Sequence, residues 1–516
     1  GFQSSAYVPL VFGLGAAAGA ESVRVDWTDG RTTVLTDLAG KTTVAPAYQA
    51  GQASPAPAAS PSALPWTVDT FPFVYRENPQ NDFDQQRLLP WMLSYSGPAL
   101  AIDATGKFLY HGGARAQSGR IFRVDGNGFT PIFAVDSSYE DAAAGFADLD
   151  GDGDDDLVVV STGYELDVAN HRLRPRIYRN DNGQFVQQPA DLPLVSAGAI
   201  AFPDVNLDGF PDLFLGSRVA PGDYPRGGDS YLLLNDGTGN FGAAMAYDLG
   251  MVTAATVPED GAELFVARAF GTVARLTFTE NGLGTPQDLS PSGRWTALKL
   301  NPDGKHLIAG NLGLNHQLAA VSEAGLTLYH GNFLDNGQRI PLLAYEQDGK
   351  SYPFAARDEL FAVLPGLKKN YPDYVSYSTA TVEEIFGKEL VEADQLKAAE
   401  LRSMVIPLNG GKPVPLPPAA QYAPVYASAT PDVNGDGIPD LVLGGNLSQT
   451  RVRIGQIAAN HGQVFLGDGD GGYVYRGDLG IRGNVRGLVN LPGNRLLWGR
   501  NRGAAIVTDY GTKEAN

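Results

Sequence analysis

Eight times between Leu100 and Asn501 the chain runs through one pattern: a short stretch of small apolar residues, a polar turn rich in Asp, Asn and Gly, and a second apolar run. The copies are LAIDATGKFLYHGG from Leu100, FADLDGDGDDDLVVVSTG from Phe146, FPDVNLDGFPDLFLGS from Phe202 and TVPEDGAELFVAR from Thr256, then LKLNPDGKHLIAGN from Leu298, GNFLDNGQRIPLLAYE from Gly331, TPDVNGDGIPDLVLGG from Thr430 and LVNLPGNRLLWGRN from Leu488. Runs this short, bounded by turn residues, predict strands rather than helices. A second theme lies between copies: RIFRVDGNGF, RIYRNDNGQF, YLLLNDGTGNF and QVFLGDGDGGY each carry an Asp-Gly or Asn-Gly signal for a hairpin. Two hairpins per period give a four-stranded antiparallel sheet. Periods of some tens of residues then predict an all-β ring, a β-propeller, because radial sheets bury one another's faces. Eight motifs leave seven or eight blades open, since the first and last can share a blade where the ring closes.

The pattern is interrupted between Gln347 and Gln421. DELFAVLPGLKKN (Asp358 to Asn370) and TVEEIFGKELVEADQLKAAELRSM (Thr381 to Met404) have helical periodicity, and Thr381 with Glu384 spells a capping box. Leu360, Phe361, Leu364 and Leu367 fall on one face, and Ile385, Leu390 and Leu396 do so less regularly. Lys368, Lys369, Glu383, Glu392 and Glu400 fall opposite. The expectation is a small helical insertion, 347–421, packed on the ring by its apolar face. Its other face suits a partner, although a purely structural cap is equally consistent with these residues.

Three of the turns carry chemistry. Asp148, Asp150, Asp152 and Asp156 stand at loop positions 1, 3, 5 and 9; Asp204, Asn206, Asp208 and Asp212 repeat that spacing, as do Asp432, Asn434, Asp436 and Asp440. So much negative charge in nine residues opposes folding unless a cation neutralises it. Oxygen donors alone, with the position-7 carbonyls of Asp154, Phe210 and Ile438 added, suit Ca2+. An EF-hand would put a Glu at position 12 and helices on both sides. Here position 12 is Val159, Leu215 or Leu443, inside an apolar run, so the expected metal loops sit on β hairpins. Asp and Gly also form turns without any metal, but three copies with one ligand spacing go beyond turn chemistry.

These repeats resemble the FG-GAP/VCBS β-propellers, the module also found in integrin α-subunit heads, whose DxDGDGxxD loops bind calcium. The resemblance covers roughly residues 95 to 510 and is specific at three copies; in the other five the ligands are lost. It implies three Ca2+ sites. Near the start, FGLG at Phe12 to Gly15 precedes Val23, Val25 and Trp27 and a Thr28-Asp29-Gly30 turn, which resembles the end of an ASPIC/UnbV domain. Ala45 to Pro65, rich in Pro, Ala and Ser, reads as an extended linker. The expected organisation is therefore an ASPIC-type hairpin in 1–45, a linker in 46–65 and a propeller in 66–516. That order, with a domain of this kind following a propeller in the family, implies a longer precursor. Asp82, Phe83, Asp84, Arg87, Leu88, Leu89 and Pro90 resemble the segment that joins these modules in Bacteroidetes surface proteins of the cartilage acidic protein-like family; on the residues alone, this segment reads as a docking element.

Composition narrows the function. The 516 residues hold no Cys, 63 Gly and 35 Pro, which fits turn-rich β structure without disulfides. No apolar run reaches the length of a membrane-spanning helix. With 38 basic and 57 acidic residues the net charge of −19 opposes a nucleic-acid backbone, so neither RNA nor DNA is expected as a partner. Arg451, Arg453, Arg482, Arg486, Arg495, Arg500 and Arg502 cluster late in the chain, as one basic rim or as strand-facing ion pairs. The six His lack zinc spacing, and neither a GxSxG elbow nor a Cys nucleophile is present. Gly13, Gly15 and Gly19 miss the dinucleotide fingerprint by one residue, and Gly40-Lys41-Thr42 lacks the upstream glycine of a phosphate loop.

The expectation is a calcium-binding, non-enzymatic binding or interaction subunit on the cell surface. The resemblance implies outer-membrane association beside a SusC/SusD-type transporter, with surface proteins, a glycan or a peptide as partners. Two alternatives stay open: a polysaccharide-active enzyme using the central depression of the ring, and a structural adhesin.

Overall fold

The computed structural model describes residues 13–14, 17–26, 32–40, 42–46, 64, 66–280, 282–322, 324–333 and 337–511. Two compact units divide the chain, Gly1–Leu64 and Pro65–Asn516. In the first, strands Gly19–Asp26 and Thr32–Ala39 pair antiparallel, with Val23 opposite Leu35 and Val25 opposite Thr33. Phe12, Gly15, Trp27, the Thr28-Asp29-Gly30 turn, Lys41 and most of the expected linker lie outside the described residues.

The second unit is all-β, built from eight antiparallel sheets. Seven follow one plan. In chain order their first two strands are Leu100–Ile102 and Phe108–His111, Asp141–Ala147 and Asp156–Ser161, Ala197–Ala201 and Leu213–Ser217, Met251–Thr256 and Glu263–Gly271, Ala297–Leu300 and His306–Gly310, Val425–Ala429 and Leu441–Gly445, and Asn484–Leu491 and Arg495–Asn501. Each first strand lies beside the first strand of the next sheet, and Asn484–Leu491 lies beside Leu100–Ile102. These strands are rich in Ala, Gly and Ser because their neighbours approach closely. At Gly198 a Cβ would come within 2.7 Å of the Arg218 Cβ and 2.8 Å of the Val252 carbonyl oxygen.

Apolar clusters fill the spaces between successive sheets: Leu157, Val159 and Tyr178 against Tyr110 and Ile121, Val158 and Val160 against Leu213 and Leu215, and Phe214 against Val252 and Leu264. The seventh sheet takes its outermost strand from the beginning of the unit: Thr67–Tyr75 pairs antiparallel with Gly503–Asp509, Thr67 opposite Asp509. Phe71 and Phe73 then pack with Leu109, Phe122 and Leu497, joining the seventh sheet to the first. The RIFRVD, RIYRND, SYLL and QVFLG segments are third strands of the first, second, third and sixth sheets.

The eighth sheet departs from the sequence reading. His306–Gly310 pairs directly with Met404–Pro407, so the excursion spans 311–403 and begins well before Gln347. The motif from Gly331 belongs to this inserted sheet, ordered Lys350–Pro353, Ile340–Gln347, Leu326–Gly331, Asp394–Ala398. A strand-turn-strand pattern looks alike in either place; only the pairing partner, distant in sequence, separates them. The helices are also shorter than their periodicity suggested. Arg357–Val363 is α-helical and Pro365–Lys369 a 3-10 turn; Val382–Phe386 begins at the expected Thr381–Glu384 capping box and ends at Gly387, where φ is 51°. Asp394–Ala398, expected as helix, is instead a strand with Leu396 opposite Leu328, because an open sheet edge satisfies its backbone better than an isolated helix would. Glu400, expected on a solvated helix face, is buried and ion-paired with Arg402 at 2.6 Å.

The inserted sheet is covered on both faces. Leu360, Phe361, Val382 and Ile385 pack with Tyr329, Ile340 and Leu342. Leu326, Leu328 and Leu343 share a core with Leu89, Trp91, Met251, Phe270 and Leu447.

Candidate functional sites: three acidic loops and a central pocket

The three acidic loops occupy one place in the plan, between first and second strands of the second, third and sixth sheets. Their backbones are nearly superposable in hydrogen bonding. The position-1 carboxylate gathers the loop: Asp148 accepts the N–H groups of Gly151 at 2.8 Å and Gly153 at 3.0 Å, Asp204 those of Asp208 and Gly209, and Asp432 those of Gly435 and Gly437. The position-5 residues Asp152, Asp208 and Asp436 accept the N–H of position 7, Asp154, Phe210 and Ile438, at 2.8 to 2.9 Å. Position 4 needs a positive φ; Gly151 and Gly435 supply it without strain, whereas Leu207 adopts φ 58°.

Position 9 has a second task. The buried Asp156, Asp212 and Asp440 accept backbone N–H groups from the third strand's end, Asn180 at 2.8 Å, Asn235 at 2.7 Å and Gly467 at 2.9 Å. Asp212 and Asp440 also take the position-2 N–H of Val205 and Val433, both at 2.8 Å. Burial pushes Asp156 up to about 6 and raises Asp212 and Asp440, more than these hydrogen bonds lower them.

Positions 1, 3 and 5 of the first loop converge: carboxylate oxygens of Asp148, Asp150 and Asp152 lie within 4.8 Å of one another, an all-oxygen set that fits a hard divalent cation. Asp156 is outside that group. In the other two loops Asn206 and Asn434 donate their amides to Asp208 and Asp436, at 2.7 and 2.8 Å. The Asp154 side chain is engaged by the Asn182 N–H at 2.8 Å.

A second site was not legible in the sequence. A cavity of about 130 Å³ lies where the first strands meet the segment Trp91–Ser96. That segment is held by Asp82, whose buried carboxylate accepts the N–H groups of Leu93 at 2.5 Å and Ser94 at 2.8 Å and the Ser94 hydroxyl at 2.5 Å. Docking, the reading given to 82–90, is thus realised inside the unit, with Leu89 and Trp91 in the core shared with the inserted sheet. Three guanidiniums face the cavity. Arg294 lies 3.9 Å over the Trp91 ring, Arg486 lies 4.1 Å over Tyr426, and Arg218 donates to the Leu93 carbonyl at 3.1 Å and to the Ser96 hydroxyl. Arg294 also donates to the Tyr426 hydroxyl at 3.2 Å. Burial lowers Arg218, and lowers Arg486 to about 10. Burial alone would raise the Tyr426 phenol, but the fields of Arg294, Arg486 and Arg218 outweigh it and hold the phenol below its ordinary range.

A further cavity of about 270 Å³ continues from this one and is lined by all seven first strands, through Leu100, Ala143, Ala199, Ala254, Leu298, Ala427 and Leu488. The late arginines do not form one rim. Only Arg451 among them meets a carboxylate in the described residues, Glu359 at 3.1 Å, while Arg495 reaches the Gly126 carbonyl, Arg500 that of Ala504, and Arg502 the Tyr95 hydroxyl.

Residues 1–53 match the family described as ASPIC and UnbV. That match takes in the Gly19–Asp26 and Thr32–Ala39 hairpin and is confined to the first unit. A comparison with curated proteins gives no match. Among solved structures, the chain is similar to the extracellular domain of a hybrid two-component system from B. thetaiotaomicron, with 10% identity and a TM-score of 0.38, over 79% of this chain and 37% of that one. No helix among the described residues is long and apolar enough to cross a membrane.

Proposed function

We propose that this chain is a calcium-binding β-propeller of the FG-GAP/VCBS type, acting as a binding subunit at the bacterial outer-membrane surface. The observation that carries the reading is the recurrence of one acidic loop, with one hydrogen-bonding scheme, at one point of three sheets. Ring closure with seven blades is supported by the circular succession of first strands and by Thr67–Tyr75 completing the last sheet, with the motif from Gly331 outside the ring. Asp148, Asp150, Asp152 and Asp156 and their counterparts would hold the ions, which neutralise the loops and lock first to second strands.

The ASPIC/UnbV match and the likeness of Asp82 to Pro90 to surface-protein linkers support the proposed location and a SusC/SusD-type partner. Solubilised from its native outer membrane, the chain should come with such a pair; recovery of the chain alone contradicts the partner half. A net charge of −19 argues against nucleic acid, and tight binding of RNA or DNA with a steep salt slope would contradict that.

One observation favours a second reading, an enzyme acting on an acidic polysaccharide. Tyr426, flanked by arginines that favour its deprotonated form, would serve as the proton acceptor for a uronate held beside it. The central pocket has no Asp or Glu in its lining, so two-carboxylate glycoside hydrolysis has no support there. Turnover on a panel of acidic glycans separates the enzyme from the binding subunit.

A further inference from the structure

Three cationic side chains around one small cavity need an explanation. Among the described residues none of Arg218, Arg294 and Arg486 forms an ion pair with a carboxylate, although other arginines of the unit do, including Arg176 with Asp141. Desolvated charges are stable only when paired or saturated with acceptors. Arg294 has one protein acceptor, the Tyr426 hydroxyl, and Arg218 has two, while Arg486 donates through Nε and Nη1 to the Tyr95, Asn446 and Val485 carbonyls; each keeps N–H groups with no protein partner beside the cavity, for Arg486 those of Nη2. The nearest acids do not fill the gap. Asp82 already accepts three hydrogen bonds. Glu140 is buried, and burial, then Glu77 and Glu165, raise it well above its ordinary value; no ion pair joins it to these three arginines among the described residues.

We propose that the central pocket binds one oxyanion group, a carboxylate or a sulfate, held by Arg218, Arg294 and Arg486 beside Tyr426. The chemistry follows from geometry. Guanidinium forks match the spacing of paired oxyanion oxygens, and stacking on Trp91 and Tyr426 fixes two of the three planes so that their edges stay available. Size sets the limit: about 130 Å³ admits a group of a few heavy atoms, where pockets for whole small molecules run to about 300 Å³ or more. The rest of the ligand extends into the 270 Å³ cavity, which shares Ala142, Gly198, Thr253, Thr296, Tyr426 and Arg486 with the pocket. Small residues, Ala most often, line that cavity and leave backbone and hydroxyl groups exposed in it, so its lining is more polar than apolar and a neutral, hydrogen-bonding remainder suits it. The ligand class is therefore a small acid with one terminal charge, of which a sugar acid and a sulfated sugar are the two sources.

This deepens the reading of the chain as a binding subunit and does not depend on the calcium loops. Sodium sulfate, sodium acetate, sodium galacturonate and galactose are titrated calorimetrically into the full chain at constant ionic strength, with calcium saturating and again in chelator. One saturable site for an oxyanion and none for galactose is expected. Sulfate against acetate and galacturonate tells the two sources apart. Arg294→Gln should weaken binding by roughly tenfold or more, since it removes a charge-assisted fork, while Arg123→Gln on the exposed first sheet should not. Where the Gln variant does not fold by circular dichroism, Arg294→Lys keeps the charge and loses the fork, and about a fivefold loss is expected. Absence of saturable oxyanion binding to a folded wild-type chain overturns the proposal, as does unchanged affinity in the Arg294 variant. Oxyanion binding is expected to persist in chelator; a chain that binds the oxyanion but takes up no calcium when calcium is saturating overturns the calcium reading alone.

Discussion

The guanidinium of Arg179 lies against the Oδ2 oxygen of Asp150, the third-position carboxylate of the first acidic loop. With four side-chain carboxylates where the others have three and an Asn, loop 148–156 is expected from sequence to bind calcium tightest. Arg179 works against that, because an ion entering the loop must displace a cation already in place. The Arg179 side chain is 44% exposed and that of Asp150 only 3%, so solvent screens the arginine end of the pair and keeps the competition modest. Arg179→Gln should therefore raise the affinity of this loop roughly fivefold, about 1 kcal/mol. A calcium titration in which the variant binds more weakly would make Arg179 a support of the loop instead.

Position 9 should separate structural from metal-binding roles. Asp440 accepts the N–H groups of Val433 and Gly467, and Asp440→Ala leaves both without a partner in a buried place. A loss of about 2–4 kcal/mol is expected even in chelator. Asp432→Ala, in the exposed part of the same loop, should cost little in chelator and most of its stability difference in calcium. Equal costs for both variants under both conditions would remove the distinction.

Of the two roles that the sequence left open for the insertion, its packing favours a structural one. Leu328 is fully buried in a core that the inserted sheet shares with Leu89 and with Met251 of the fourth sheet. Leu328→Ala should destabilise the whole unit by about 2–5 kcal/mol in one transition. Two transitions in denaturant, with the seven like sheets melting as in the parent chain, would show an independent cap.

Local pattern and long-range pairing explain what was legible. Strands such as Leu157–Val160 and the turns before them are written in consecutive residues, and so is the spacing of Asp148, Asp150 and Asp152. The pairing of His306–Gly310 with Met404–Pro407 and of Thr67–Tyr75 with Gly503–Asp509 is not, because a strand's pattern does not name its partner. The same holds for the central pocket. Trp91, Arg218, Arg294, Tyr426 and Arg486 come from five distant places, and each alone reads as an ordinary strand or loop residue. Of the late arginines only Arg486 belongs to it.

Acid should weaken the second unit through buried imidazoles. His111 is wholly buried against Phe71 and Phe73, and burial lowers it to about 4 despite its bond to the Gly112 carbonyl; His316 is also lowered to about 4 by burial. The unfolded chain takes up protons near pH 6.5 while the folded one resists until about 4, so stability falls as pH drops through that window. For His111 the contribution is at most about 3 kcal/mol. His111→Phe should flatten the stability profile between pH 6.5 and 4; an unchanged slope would place the effect elsewhere.

Calcium content tests the central claim most directly. The full chain is equilibrated with calcium, freed of unbound ion on a desalting column and analysed for bound metal against protein concentration. Three calcium ions per chain are expected, falling to two in each of Asp148→Ala, Asp204→Ala and Asp432→Ala. A folded chain that retains no calcium would contradict the account.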